Sequence, residues 1–294
     1  MKKLIVSLSA VFTVLMVFTL VACEKALMAE DSDTSGDKNG NLRVRVFQIE
    51  QTPFGSLTRA AASEVCTRLN FLIYNTDNSR AKMVNQTSSD KNFGTVSFQL
   101  DEGDYQLVVV GHSGSGNPTS TNPLKIQFSK DTGFTDTFLS SDDITVKAED
   151  PLEIDVTLVR IVALCRFCLT DDIPADVRKM QFYYTGGSGA FDAYTGLGSA
   201  NSRQTVTFDV TDGSQKQFDL YTFLHEESDN IALKVTALDA SGNVLYERDF
   251  DVPMQQNHIT WLTGAFFSGS GSSSTTVTGV TVNTDWAGEL HLTF

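Results

Sequence analysis

From Leu42 to Phe294 the sequence returns again and again to one pattern: short runs of alternating apolar and polar residues, separated by turns rich in Gly, Asn and Asp. Leu42-Arg43-Val44-Arg45-Val46-Phe47-Gln48-Ile49 is the first such run, and Leu290, Leu292 and Phe294 alternate in the last. Successive side chains of an extended chain point to opposite sides, so period-two alternation marks strands that bury one face. Apolar residues spaced three and four apart, which a surface helix needs, are scarce. The chain is therefore expected to be all-β. Its 21 Gly against 6 Pro, with abundant Thr, Ser, Val and Phe, agree with that, and a hydrophobic content of 41% supports a packed core.

The runs fall into two series. Arg68 to Tyr74, Gly94 to Leu100, Tyr105 to Val110, Pro123 to Phe128 and Asp143 to Lys147 come after the first run at sandwich-like spacing. The second series opens with Pro151 to Leu169. It continues through Lys179 to Thr185, Gln204 to Val210, Gln217 to Leu224, Ile231 to Asp239, Val244 to Val252, His258 to Phe266 and Thr275 to Phe294. Two β-sandwich domains are expected, residues 41–150 and 151–294, with one helical turn at Pro174 to Arg178. Ser268 to Ser274 consists of Ser and Gly alone and reads as a connector. The segment beyond this connector is either a final hairpin of the second domain, the reading favoured, or a strand pair available to a partner.

The N-terminus sets the compartment. Lys2 and Lys3 precede an almost unbroken apolar stretch, Leu4 to Leu20, and Leu20-Val21-Ala22-Cys23 matches a lipobox. Residues 1–22 are expected to be a lipoprotein signal peptide, leaving Cys23 as an acylated N-terminus; two lipid signals already suffice for stable anchoring. A transmembrane helix competes on length, but the stretch ends at Cys23 and is succeeded by the polar Glu24 and Lys25. Residues 23–40 read as a flexible tether. The formal net charge is −14, and loss of Lys2 and Lys3 makes the mature chain two charges more negative, which disfavours nucleic acid and anionic lipid headgroups as partners.

No motif reads as an active centre. Gly111-His112-Ser113-Gly114-Ser115 after an apolar strand resembles a nucleophile elbow, but Gly116 to Pro123 cannot form the helix that such an elbow requires behind it. Cys165 and Cys168 lie in an apolar run; in a strand, residues three apart face opposite sides about 10 Å from one another, so neither a disulfide nor a shared metal is expected. A bridge from Cys66 to one of them stays open. Asp31, Asp33, Ser35 and Gly36 imitate a calcium loop, whose twelfth position would be Leu42 instead of Glu. The four histidines are dispersed, with only His225 beside acids, and Asp142-Asp143 and Asp171-Asp172 read as turn formers. Trp261, Trp286, Tyr183, Tyr184 and Tyr194 could stack on sugar, though alternating aromatics in strands are more often core. No catalytic residue, metal site or cofactor is expected.

The lipobox at Cys23, Leu69 to Asn75, Glu102 to His112 and Phe134 to Phe138 together resemble the FimB-type fimbrial anchor and minor-subunit lipoproteins of Bacteroidales. Leu158 to Ala163, Asp172 to Val177 and Asn257 to Gly264 extend the resemblance over nearly the whole mature chain. It implies two tandem transthyretin-like, Greek-key sandwiches. It also implies a non-enzymatic role at the outer membrane, as a surface-exposed, lipid-anchored anchor or accessory subunit of a fimbrium that supports cell adhesion. Its partners would be other fimbrial subunits, joined by β-strand addition, and a ligand on a host or bacterial surface. In polymerising relatives maturation cuts after an Arg in the loop behind the first strand; Leu57-Thr58-Arg59-Ala60 stands there, making the Arg59–Ala60 bond the candidate site, with an ordinary basic loop residue as the alternative reading of Arg59. Such a cut would separate Cys23 from the body unless the released strand stayed paired, so anchoring and cleavage pull against each other. The alternative function is a glycan-binding outer-membrane lipoprotein.

Overall fold

The computed structural model describes residues 35–36, 40–50, 62–129, 133–148, 150–210, 213–268, 276–281 and 286–294. Within them the protein is all-β apart from one helical turn, α1 (Ala62–Val65). The first part of the chain supplies β1 (Ser35–Gly36), β2 (Leu42–Glu50), β3 (Arg68–Asn75), β4 (Arg80–Thr87), β5 (Thr95–Phe98) and β6 (Gly103–His112). Then come the short β7 (Ile126–Gln127), β8 (Thr137–Val146) and β9 (Leu152–Arg160). Except for β7 they form one eight-stranded sheet, in the order β1-β5-β2-β9-β8-β6-β3-β4.

This sheet curls round a core of its own. Leu42 and Val44 of β2, Phe71 and Ile73 of β3, Val96 and Phe98 of β5, and Leu107 and Val109 of β6 all point into one buried cluster. A curled sheet brings its two margins close, and the Gln86 side chain of β4 bridges them: its Nε2 donates to the Thr95 carbonyl at 2.8 Å and its Oε1 accepts from the Gly94 N–H at 2.9 Å. Asn41 makes the same kind of two-way link at the start of β2, donating to the Leu100 carbonyl and accepting from the Leu100 N–H, each at 3.0 Å. Side-chain amides thus stand in for ladder hydrogen bonds where the strands diverge.

The second part contributes β10 (Ala163–Leu169), β11 (Lys179–Thr185), β12 (Ala190–Phe191), β13 (Gln204–Asp209) and β14 (Gln217–Thr222). It ends with β15 (Ser228–Leu238), β16 (Val244–Gln255), β17 (His258–Gly264), β18 (Thr276–Thr281) and β19 (Gly288–Thr293). They build a five-stranded sheet, β14-β10-β17-β19-β18, and a four-stranded sheet, β13-β11-β15-β16. Cys165 and Phe167 from the one meet Met180, Phe182 and Val235 from the other in a shared core. The turn after β11 needs glycine twice over: Gly186 has φ +92°, and a side chain on Gly187 would collide with Thr222.

A third cluster lies on the outer face of the first sheet. Leu72, Tyr74, Val108 and Val110 meet Ile161, Val162, Leu164, Phe191, Phe223, Ile259 and Trp286 there. This explains the uninterrupted apolar run in β6: its odd-numbered residues serve the inner core and its even-numbered ones the junction.

The structure departs from the sequence reading in several elements. Residues 152–160 pair with β2 and β8 in the first sheet instead of opening the second series, so the chain changes sheets at Ile161 and Val162. β4 had no expected counterpart, and β8 begins at Thr137, so Asp142 and Asp143 lie inside a strand rather than in a turn before one. Residues 174–178 form a turn, closed by the Val177 N–H on the Pro174 carbonyl, and not a helix. The segment after the Ser/Gly connector is a hairpin of the second part, with β19 parallel to β17 and Phe294 stacked on Phe167 at 5.2 Å.

Candidate functional site

Strand edges are where a sheet protein of this kind offers backbone hydrogen bonds to a partner. The outer strands are β4 and β1, β14 and β18, and β13 and β16. The longest, β16, carries Glu247, Asp249 and Asp251 on its exposed side, and Pro253 removes one N–H donor near its end, so charge and proline blunt it. On β14, Asp219 is held by Nε and Nη2 of Arg166, each bond 2.7 Å.

By contrast β2 is interior. It runs parallel to β9 and antiparallel to β5, with Leu42 and Val44 fully buried and Ile49 nearly so. Arg45 adds a two-pronged ion pair to Asp155 on β9. The first long strand of the chain is therefore the one whose loss would open the first core.

Cys23, Arg59 and Ala60 lie outside the described residues, as do Asp31 and Asp33. His112 and Ser113 do not face each other as base and nucleophile. The His112 ring is buried; its Nδ1 accepts the Gly114 N–H at 3.1 Å, so Nε2 carries the proton and donates to Asn70 Oδ1 at 3.0 Å. Asn70 in turn donates to Asn85 and Asn117. Burial, with Arg68 nearby, pulls the imidazole down to about 4. This is a neutral, satisfied histidine, and Ser113 Oγ accepts the Thr67 N–H.

Cys66 sits in the first core and Cys165 in the second, while Cys168 points to the opposite face of β10; all three are free thiols. Burial pushes the Cys66 thiol up to about 12. Asp171 is no simple turn former: its carboxylate accepts N–H groups from Phe266, Phe267 and Ser268 at 2.7–3.1 Å. Burial alone would raise its pKa, but these bonds hold it below the usual carboxylate value.

The aromatic residues do not gather. Tyr184 is inside the second core, Trp286 is in the junction beneath Arg160, and Trp261 is stacked between Arg166 and His291. Tyr194 alone of the five is largely in solvent, 52% exposed, beside an open groove of about 490 Å³ lined also by Asn75, Asp104, Gln106 and Asp143. Among the described residues there is no cluster of His, Cys, Asp or Glu fit to hold a metal, and no helix long and apolar enough to cross a membrane.

The model of the family described as "Mfa2: Fimbrillin-A associated anchor proteins Mfa1 and Mfa2" matches residues 31–290. None of the curated proteins matches the sequence. Similar solved structures include a candidate adhesin from Bacteroides ovatus, 15% identical, with 79% of this chain and 87% of that one covered at a TM-score of 0.45. The fimbrial anchor protein Mfa2 from Porphyromonas gingivalis is 13% identical, with 71% and 81% covered at a TM-score of 0.41. A fimbrial assembly protein from Parabacteroides distasonis is 12% identical, with 77% and 90% covered at a TM-score of 0.37. At such identities and TM-scores it is the family match that assigns the chain.

Proposed function

Because the chain belongs to the Mfa2 family of fimbrillin-A associated anchor proteins, we propose that it is the lipid-anchored base or an accessory subunit of a fimbrium at the outer membrane. Family membership implies a place at the cell surface with the fimbrium, in association with fimbrillin. On our reading residues 1–22 are the signal peptide, Cys23 carries the acyl chains, 23–40 is the tether, and the body consists of two tandem transthyretin-like domains. Other subunits join by β-strand addition, which supports cell adhesion.

The observation that carries this reading is the seating of β2. Residues 35–36 add only a short edge ladder to β5, whereas β2, the next strand, is bonded on both sides and buries Leu42, Val44 and Ile49. A lipid at Cys23 would thus be tied to the middle of the sheet. The same strand is the one that cleavage at Arg59–Ala60 would release, and in an anchor we take it to stay paired.

The test compares wild type, Cys23→Ala and Arg59→Ala in cells that co-express fimbrillin. Intact-mass analysis of wild type should show acylation at Cys23, with a detergent-stable high-mass ladder that Cys23→Ala releases from the membrane. An acylated protein that remains monomeric beside every subunit defeats the assembly reading. Wild-type chains beginning at Ala60, absent from Arg59→Ala, would establish the cut.

A further inference from the structure

The groove beside Tyr194 has a chemistry that the anchor reading leaves unused. Its floor is the outer face of the first sheet at the β6 and β8 strands, where Asp104 lies opposite Thr145 and Gln106 opposite Asp143. Its rim includes Thr76 and Tyr194. Tyr194 comes from the loop after β12 and leans across to the first part of the chain, its hydroxyl donating to Asn78 Oδ1 at 2.9 Å.

Four side-chain donors of this groove are already engaged, those of Thr145, Gln106, Asn75 and Tyr194. Thr145 Oγ1 donates to Asp104 Oδ1 at 2.7 Å, Gln106 Nε2 to Ser141 Oγ at 2.8 Å, and Asn75 Nδ2 to Ser79 Oγ at 2.9 Å. Asp104 Oδ1 takes one of these bonds, and the buried Gln106 Oε1 takes none. Gln106 is 4% exposed, faces the groove beside Asp104 and Asp143, and has an Oε1 with no hydrogen-bond partner. Among the described residues no Lys or Arg pairs with Asp104 or Asp143. A buried acceptor left unpaired carries a desolvation penalty that a ligand donor relieves.

We propose that this groove receives a lysine or arginine side chain of a partner polypeptide. Ammonium and guanidinium groups donate and do not accept, which matches a lining of two carboxylates and an unpaired buried amide oxygen; a sugar would meet the Thr76 hydroxyl but would bring no charge to set against the carboxylates. The Asp143 and Asp104 carboxylates supply the countercharge, Gln106 Oε1 takes one N–H, and the aliphatic stem lies along the ring of Tyr194. Two carboxylates with one amide oxygen recognise a cationic head without a metal, and no metal-type cluster occurs among the described residues.

The test uses full-length protein in detergent and blocked pentapeptides Gly-Gly-X-Gly-Gly with X as Arg, Lys or Glu, titrated by calorimetry, with chitotriose as the neutral sugar probe. The Arg and Lys peptides should bind and the Glu peptide should not. Asp143→Asn should weaken binding about fivefold, the effect of losing one partly exposed ion pair. Gln106→Met, of similar length but without the acceptor, should weaken it about threefold. Matching thermal melts will establish that both variants are folded. Raising salt from about 50 to about 500 mM should weaken the wild type and much less so Asp143→Asn. Equal binding by wild type and both variants overturns the assignment, as does absence of binding to either basic peptide. Chitotriose binding that both variants lose, with basic peptides inert, would make it a sugar site instead. Because isolated peptides are used, this test does not depend on fimbrial assembly.

Discussion

Arg160 and Asp136 meet fork to fork, Nε to Oδ1 at 2.7 Å and Nη2 to Oδ2 at 2.8 Å, with the Arg160 side chain only 2% exposed. The same guanidinium lies 4.0 Å from the Trp286 ring and 4.9 Å from the Phe138 ring, and donates to Asn257 Oδ1. One arginine at the end of β9 thus ties the first sheet to the second part of the chain. Removing a carboxylate from a buried pair costs far more than the pair contributes net, because the cation stays behind. Asp136→Ala should therefore cost about 3 kcal/mol, read as a lower urea midpoint. Asp136→Asn, which keeps an acceptor, should cost clearly less; equal loss in the two would mean that the charge is irrelevant.

His112 makes the protein acid-sensitive above the carboxylate range. Its folded value of about 4 lies below the ordinary 6.5, so between those pH values the unfolded chain binds a proton that the folded chain refuses. Stability contributed by the neutral ring is complete above about pH 6.5 and is lost as pH falls toward 4. Going from about pH 7 to about pH 5 should remove about 2 kcal/mol. His112→Gln should flatten that part of the profile in urea titrations, whatever its effect at pH 7.

At the seam of the first sheet, Gln86→Leu keeps the bulk and withdraws both hydrogen bonds from Gly94 and Thr95. A loss of about 2 kcal/mol is expected. Amide exchange should separate this from general loosening: the Gly94 N–H should exchange much faster, and the β6 amides should not.

Thiol chemistry should track burial. Cys66, pushed up to about 12, and Cys165, raised further by complete burial, should resist alkylation in the native protein. Cys168, only partly buried, should label first, and all three should label in denaturant. A disulfide between Cys66 and Cys165 in a non-reducing digest would contradict their location in separate cores.

Leu42→Ala should lower stability by about 3 kcal/mol, since the side chain is fully buried in an interior strand. Val244→Ala, at 59% exposure on β16, should stay within about 0.5 kcal/mol.

The strands with one wet face were readable because alternation and burial are the same fact: β2, β11 and β19 lie where the pattern put them. β4 was not, since at an edge only Gln86 among its residues is buried and no period survives. The sheet to which residues 152–160 belong was equally hidden, because parallel pairing with β2 is a long-range choice that local pattern does not encode. The junction core did leave a trace in the unbroken apolar run of β6, which only a strand covered on both faces needs. For the groove there was a partial signal: Tyr194 stood out as an aromatic, but nothing local marks Gln106 as an acceptor left over after folding.

The position of β2 also orders events in time. Arg45 and Asp155, which pair across β2 and β9, are 110 residues apart in sequence. A chain that emerges N-terminus first makes β2 before any other long strand and seats it last, once β9 has arrived to flank it. Until then β2 has only β5 to pair with, so its two-sided seating waits on the synthesis of the next hundred or so residues.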